Sequence, residues 1–286
     1  MNNLDKQNTL DKVREGYAAI ATSGGSCCTA SPACCGSPSP DILARGIGYS
    51  NEDLELLPDG ANMGLSCGNP AAIASLRPGE IVLDLGCGGG FDVFIAARKV
   101  APTGRAIGVD MTPEMISKAR RDASLFTQRT GLDNFEFRLG EIEHLPVADS
   151  SVDVVISNCV INLSPDKPQV WREIFRVLKP CGRVAVTDLA LLRPLPPAIT
   201  EDVRVLVGCI AGAALVSEIE QMIREAGFED VGLAIKPEYV EMLVKFQDTL
   251  YTQIAAKLPS GTKLADYVTS LEIRARKPAA CCCGTG

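Results

Sequence analysis

Residues 81–111 read IVLDLGCGGGFDVFIAARKVAPTGRAIGVDM, and they decide the fold. Ile81 to Leu85 is a short apolar run of the kind a buried parallel strand needs. Gly86, Gly88, Gly89 and Gly90 follow, with no side chains to hold a ligand off the backbone. Phe91 to Val100 carries a helical pattern, and a second apolar run, Ala106 to Val109, stops at Asp110. This is the first half of a nucleotide-binding βαβ unit. The glycines admit the ligand and the helix N-terminus adds its amides. An acid about 20 residues further on accepts hydrogen bonds from ribose hydroxyls.

The glycine spacing chooses between cofactors. Asp84 to Gly90 is D-x-G-x-G-x-G, not the G-x-G-x-x-G of dinucleotide folds. It resembles motif I of the class I S-adenosylmethionine (AdoMet) methyltransferases. The resemblance implies that Asp84, Gly86, Cys87, Gly88 and Gly90 form the loop facing the amino-acid part of AdoMet, Cys87 being needed there only for its small size. Asp110 then takes the ribose and Met111 lies against adenine. Glu141 and Ile142 reach the adenine from a strand-end loop, and Asn158 completes the cofactor set.

Outward from that stretch, strands are expected at 81–85, 105–110, 134–139, 152–157 and 183–189, alternating with helices at 91–100, 113–130 and 167–178. Strict alternation means a parallel sheet covered on both faces. Beyond Leu189 the pattern changes to helices near 199–214, 216–226 and 238–257 and strands near 230–235 and 267–276. The fold class is therefore α/β: a Rossmann-like, doubly wound, seven-stranded class I methyltransferase sheet with an N-terminal arm and a small C-terminal α+β region. The expected parts are 1–70, a helix (11–22) and Cys-rich arm; 71–190, the AdoMet-binding core; 191–277, a C-terminal region completing the sheet; and 278–286, a disordered Cys-rich tail.

A net charge of −7 disfavours a nucleic-acid partner. The polar start MNNLDKQNTL is no signal region, and the longest apolar stretch, Val205 to Val216, is half a membrane span, so a cytoplasmic protein off the membrane is expected. Twelve cysteines without a secretion signal point to metal binding or thiol chemistry rather than a disulfide framework. One histidine, His144, excludes any mechanism that needs two.

Ligands sit at the carboxyl ends of strands in doubly wound sheets, so Cys159, directly after strand 152–157, belongs on the cofactor face. Cys67 and Cys209 lie among small residues, settings that let a thiol be approached from outside. The runs Leu65-Ser-Cys-Gly-Asn-Pro70, Ser157-Asn-Cys-Val-Ile-Asn-Leu163 and Cys209-Ile-Ala-Gly-Ala-Ala-Leu215 resemble arsenite methyltransferases, over about Val13 to Pro278. The resemblance implies AdoMet-dependent methylation of trivalent arsenic, offered as a thiol conjugate, to methyl- or dimethylarsenicals in arsenic detoxification. Cys67, Cys159 and Cys209 are then the arsenic-binding thiolates, which makes 191–277 the C-terminal arsenic-binding region. An N-terminal redox cysteine maps to the CC-x5-CC loop, at Cys34 or Cys35, and thioredoxin or glutathione is the thiol reductant.

The chemistry agrees with those residue types. Trivalent arsenic is thiophilic, and soft ligands select soft centres. Methylating its lone pair removes no proton, so no general base is required. Two rivals stand beside this reading. A quinone- or sterol-type C- or O-methyltransferase would need a base and no motif-borne cysteines. A sequestering protein would have no use for an intact Asp84, Gly86, Gly88 and Asp110.

Overall fold

The computed structural model describes residues 3–23, 39–196, 199, 210, 212–246 and 249–279. Seven strands form one sheet in the order β3-β2-β1-β4-β5-β7-β6. They are β1 (Ile81–Leu85), β2 (Arg105–Asp110), β3 (Phe135–Leu139), β4 (Val152–Asn158), β5 (Leu178–Leu191), β6 (Glu229–Lys236) and β7 (Val268–Arg276). The β1–β5 pairings are parallel, with Leu83 opposite Ile107 on one side and Val155 on the other. β7 pairs antiparallel with both β5 and β6, so the sheet is mixed rather than wholly parallel. The helix Val216–Glu225 lays β6 down parallel to β5 with a gap between them, and β7 returns into that gap.

The strand order reverses between β1 and β4, and it is there that a doubly wound sheet opens its ligand crevice. One face of the sheet is covered by α5 (Phe91–Val100) and α6 (Pro113–Thr130), which bury Phe94, Ile95, Ile116 and Phe126. The other is covered by α7 (Lys167–Val177) and Val216–Glu225. α7 shows why these residues make a helix: the Asp166 carboxylate caps it by accepting from the Gln169 N–H at 3.2 Å, and Pro168 sits in the first turn. Val170, Trp171, Ile174 and Val177 then fall on one buried face, and Trp171 meets Phe228 edge-on at 6.2 Å. A third apolar cluster lies over the carboxyl ends of the strands and joins Cys67, Cys159 and Leu189 to Ile199, Ile210, Val240 and Leu243.

Some element bounds differ from the sequence reading. The first helix, α1, runs over Asn3–Ser23 rather than 11–22, and two short helices, α2 (Pro40–Gly46) and α3 (Asn51–Glu55), occupy the stretch that reads as turn-rich. Ser39 and Ser50 cap them by accepting from backbone N–H groups. α4 (Pro70–Ala74) starts at a proline, which suits a first helical turn. The helix expected over 238–257 is described as two, Pro237–Lys245 and Thr249–Ala255. Of the helix expected over 199–214, Ile199, Ile210 and residues 212–214 lie among the described residues. Among the described residues no helix is long and apolar enough to cross a membrane.

Candidate active site

A cavity of about 690 Å³, counted with its open mouth, lies at the carboxyl ends of β1, β2 and β4. Seven residues singled out from the sequence, Gly86, Gly88, Asp110, Met111, Ile142, Asn158 and Cys159, line it, together with Thr112, Met115, Glu143, Val160, Leu163 and Ser164. Gly86 and Gly88 have φ of +66° and +50°, so the loop presents bare backbone. The Asp110 carboxylate accepts from Gly88 N–H at 3.0 Å and Thr112 N–H at 2.8 Å, which fixes it at the cavity wall. Burial raises its pKa, against the pull of those donors. A bare glycine loop, an anchored acid at the end of β2 and apolar side chains from Met111, Met115 and Ile142 suit a nucleoside with a charged amino-acid tail.

Four residues of the expected cofactor set stand outside that lining. Asp84 is buried, and burial together with the charges of Asp92 and Asp110 holds its pKa well above the usual carboxylate range. Cys87 packs its sulfur against Gly108, where a Cβ would come within 2.7 Å. Gly90 is the N-cap of α5 and lies against Phe94 and Phe137. Glu141 is engaged by Arg14 at 3.1 Å, and its neighbour Glu143 faces the cavity instead.

The thiols give the clearest correction. Cys67 and Cys159, expected as free thiolates, are joined in a disulfide across a sequence separation of 92 residues. Neither ligates in this oxidised form. Cys67, expected to be open to approach, is 2% exposed. Its loop is pinned from several sides: its N–H donates to the Asn158 side-chain oxygen at 3.0 Å, and its carbonyl accepts from the Ser270 hydroxyl at 2.8 Å. Asn158 also donates to Gly68 O at 2.9 Å and to Tyr49 Oη at 3.2 Å, so this residue holds the thiol loop as well as lining the cavity. Gly68 must be bare because a Cβ there would meet Thr187 at 2.6 Å. Cys159 is fixed by its N–H, which donates to Thr187 O at 2.9 Å. Cys34, Cys35 and Cys209 lie outside the described residues.

A thiol pair at the wall of a methyltransferase-like cavity narrows the choice of family, and comparison with known proteins decides it. Residues 76–227 match the family model described as a methyltransferase domain. The arsenite methyltransferase of Halobacterium salinarum is 46% identical over 282 residues, covering 96% of this chain and 68% of that protein. The chain belongs to the arsenite methyltransferase family. The arsenite methyltransferase of Aquipseudomonas alcaligenes is 42% identical over 54% of this chain and 46% of its own length. Among solved structures, an arsenic(III) S-adenosylmethionine methyltransferase from Chlamydomonas reinhardtii superposes with a TM-score of 0.60 at 31% identity, over 85% of this chain and 75% of that one.

For a member of this family, α1 is the part of the site that the sequence reading missed. Leu10, Val13 and Tyr17 roof the cavity. Their spacing of three and four residues is one helical face, a signal the sequence does carry. Lys6 reaches Asp166 at 2.6 Å and Arg14 reaches Glu141 at 3.1 Å, tying the helix to both banks of the cavity. These side chains are about a third exposed, so each pair contributes at most about 1 kcal/mol. Reversing both charges in a Lys6→Glu/Arg14→Glu variant is expected to weaken AdoMet binding by about 5- to 30-fold, or 1–2 kcal/mol, at low salt. The loss shrinks as salt is raised. Calorimetric titration checks it, and affinity equal to the parent's at low salt removes α1 from the binding site.

Asp188, on β5, was not singled out from sequence. Its carboxylate lies with the sulfurs of Cys67 and Cys159 in a buried group whose ligand atoms are all within 4.8 Å of one another. It accepts from Asn162 Nδ2 and Leu189 N–H, both at 2.8 Å, and from Asn162 N–H at 3.1 Å. Burial pushes its pKa up to about 7, against these donors and the Lys167 charge. A carboxyl that is a weaker acid folded than unfolded binds extra protons in the native state. Its contribution is therefore fully present below pH ~4 and lost as pH rises through about 7. The oxidised chain should lose on the order of 4 kcal/mol across that window from this group. Urea melts between pH 4 and 8 test this: the slope of stability against pH should flatten in Asp188→Asn, and an unchanged slope refutes the assignment.

Proposed function

We propose that this chain transfers a methyl group from AdoMet to trivalent arsenic held by the thiolates of Cys67 and Cys159, with Cys209 as the third. One observation carries the reading: Cys159, at the wall of the cofactor cavity, lies within bonding distance of Cys67. Gly86, Gly88, Asp110, Met111 and Ile142 would hold the cofactor. AdoMet supplies, when bound, an electrophilic methyl group on a cationic sulfur.

The cysteines do the rest. Two thiol equivalents first open the Cys67–Cys159 disulfide, leaving as their own disulfide and giving both cysteines their protons. Each cysteine then displaces one hydroxyl of arsenous acid, or one thiol of an arsenic–thiol conjugate, and its proton leaves on the departing group. Two or three sulfurs leave the arsenic with a lone pair. The pinned backbones of Cys67 and Cys159 fix where that lone pair points, and alignment of this kind is worth effective molarities on the order of 10⁵–10⁸ M. No proton leaves the nucleophile, so the site needs no base. Methylated arsenic is formally pentavalent, and two electrons return it to the trivalent state. Thioredoxin or glutathione, relayed through Cys34 or Cys35, is the proposed source, which places the protein in a reducing compartment, the cytoplasm.

The test is arsenic speciation after incubating the purified chain with AdoMet, arsenite and a thiol reductant. Methylarsenicals formed in step with S-adenosylhomocysteine support the reading. AdoMet binding with no methylated arsenic, and methylation of a quinone offered in its place, would overturn it.

A further inference from the structure

The methyl transfer described above has no task for Asp188, yet this carboxylate is 3% exposed and sits beside the thiol pair. We propose that the reduced site binds a thiophilic divalent cation, zinc or cadmium, through the thiolates of Cys67 and Cys159 and the carboxylate of Asp188.

The three ligand atoms, one per residue, lie within 4.8 Å of one another, and all three residues are buried. A tetrahedral zinc with metal–sulfur bonds of about 2.3 Å and metal–oxygen bonds of about 2.0–2.2 Å holds its donors roughly 3.5–3.8 Å apart. Opening the disulfide separates the sulfurs toward that spacing, and the carboxylate closes by about 1 Å at most. The donors come from three fixed backbones: the loop before α4, the residue after β4, and the interior of β5. Asn162 Nδ2 and Leu189 N–H donate to its Oδ1, Asn162 N–H donates to Oδ2, and the Ile161 N–H adds to their hold, so a cation would share the carboxylate with these donors. Among the described residues no cationic side chain lies within ion-pair distance of it. A buried carboxylate is usually paired or coordinates a metal. Two sulfurs and one oxygen suit zinc or cadmium, whereas magnesium and calcium want oxygen alone.

The balance is simple. A thiol reductant gives two electrons and two protons to the disulfide and leaves oxidised. Cation binding then releases two thiol protons to solvent, and the carboxyl proton wherever one is held. The same pair cannot hold a cation and arsenic together, so the cation should inhibit methylation. That consequence rests on the arsenite reading; the cation site does not.

The test uses the full chain with Cys27, Cys28, Cys34, Cys35, Cys181, Cys281, Cys282 and Cys283 replaced by serine, so that other thiols do not compete for the probe. Cadmium is titrated into the reduced protein and followed by thiolate-to-metal charge-transfer absorption and by cadmium NMR. The expected result is one cadmium per chain with a two-sulfur signature. It should be lost on oxidation of the pair and in Cys67→Ser, and weakened tenfold or more in Asp188→Asn. A three-sulfur NMR signature, read on the chain that retains Asp188, would overturn the proposal. So would parent-like cadmium affinity in a folded Asp188→Asn. If cadmium binds as expected but arsenite is not methylated, the arsenite reading fails and the cation site stands. If arsenite is methylated and Asp188→Asn binds cadmium like its parent, the cation proposal alone fails.

Discussion

Gly86→Ala should remove AdoMet binding, raising Kd by a hundredfold or more, while Gly89→Ala, three residues along the same loop, should leave it within about threefold. The two glycines differ in what a methyl group would meet. At Gly86 a Cβ would lie 2.4 Å from one Val160 methyl, 2.7 Å from its Cβ and 3.1 Å from the other methyl. Val160 follows Cys159 and cannot retreat without moving the end of β4. The backbone there has φ +66°, a conformation that costs a side-chain-bearing residue about 1 kcal/mol. Overpacking adds about 1–3 kcal/mol. The loop can relieve both only by leaving its place, and that place is the cavity wall. At Gly89 the nearest atoms are Lys118 Cε at 3.3 Å and Met63 Cε at 3.5 Å, both near the ends of flexible side chains. Trimming the obstacle supplies the control: Val160→Ala removes two of the three clashing atoms, so Gly86→Ala/Val160→Ala should regain part of the lost affinity. Titration calorimetry on the four proteins measures it, and equal affinity in Gly86→Ala and its parent would show that the loop does not touch the cofactor.

That contrast also marks how far sequence reading reaches. The glycine loop was legible because its information is local: an apolar run, a spacing and an acid at the end of the next strand. Cys159 was legible by one further step, since a residue after a strand in a doubly wound sheet must face the crevice. The meeting of Cys67 with Cys159 was expected only through family resemblance. Nothing in a separation of 92 residues dictates it; Asn158 and Ser270 bring it about by gripping the Cys67 loop from the end of β4 and from β7, and the Thr187 hydroxyl on β5 holds the Asn158 side chain in place. The oxidised state of the pair was not legible at all, because a cysteine carries no record of its partner. Asp188 escaped for a different reason: it sits within an apolar strand, where a single acid reads as an interruption rather than as part of a site. The first helix reads from the sequence as a short amphipathic one over 11–22, but where it docks depends on partners far along the chain, Asp166 and Glu141 among them. The sheet was correctly counted at seven strands, and only the antiparallel return of β7 into a gap departed from the alternation rule.

Cys67→Ser should lower arsenite methylation at least a hundredfold in excess thiol reductant while leaving AdoMet affinity within about threefold. A hydroxyl is a hard, neutral donor and cannot replace a thiolate on arsenic. With the Cys67 sulfur gone the arsenic loses one arm of its chelate, and the two sulfurs that remain, of Cys159 and Cys209, must hold it against the reductant in solution. Cys67 is the cleaner site to alter than Cys159, because Cys159 lines the cofactor cavity and Cys67 does not. A loss of activity could also follow from a loss of fold, and the disulfide offers a way to separate the two. Closing a loop of about 92 residues stabilises an oxidised chain by up to about 4–5 kcal/mol relative to an open one. Without reductant, therefore, the parent should melt well above Cys67→Ser in urea. With reductant the two should melt within about 1 kcal/mol of each other, since the parent has lost its cross-link and the substitution changes one buried atom. Activity is assayed under the second condition, where stability is matched. Methylation that survives in Cys67→Ser under those conditions means that arsenic is held elsewhere, and the thiol pair then has no part in holding the acceptor. Methylation lost at matched stability, with AdoMet still bound, leaves the pair no role but to hold the acceptor.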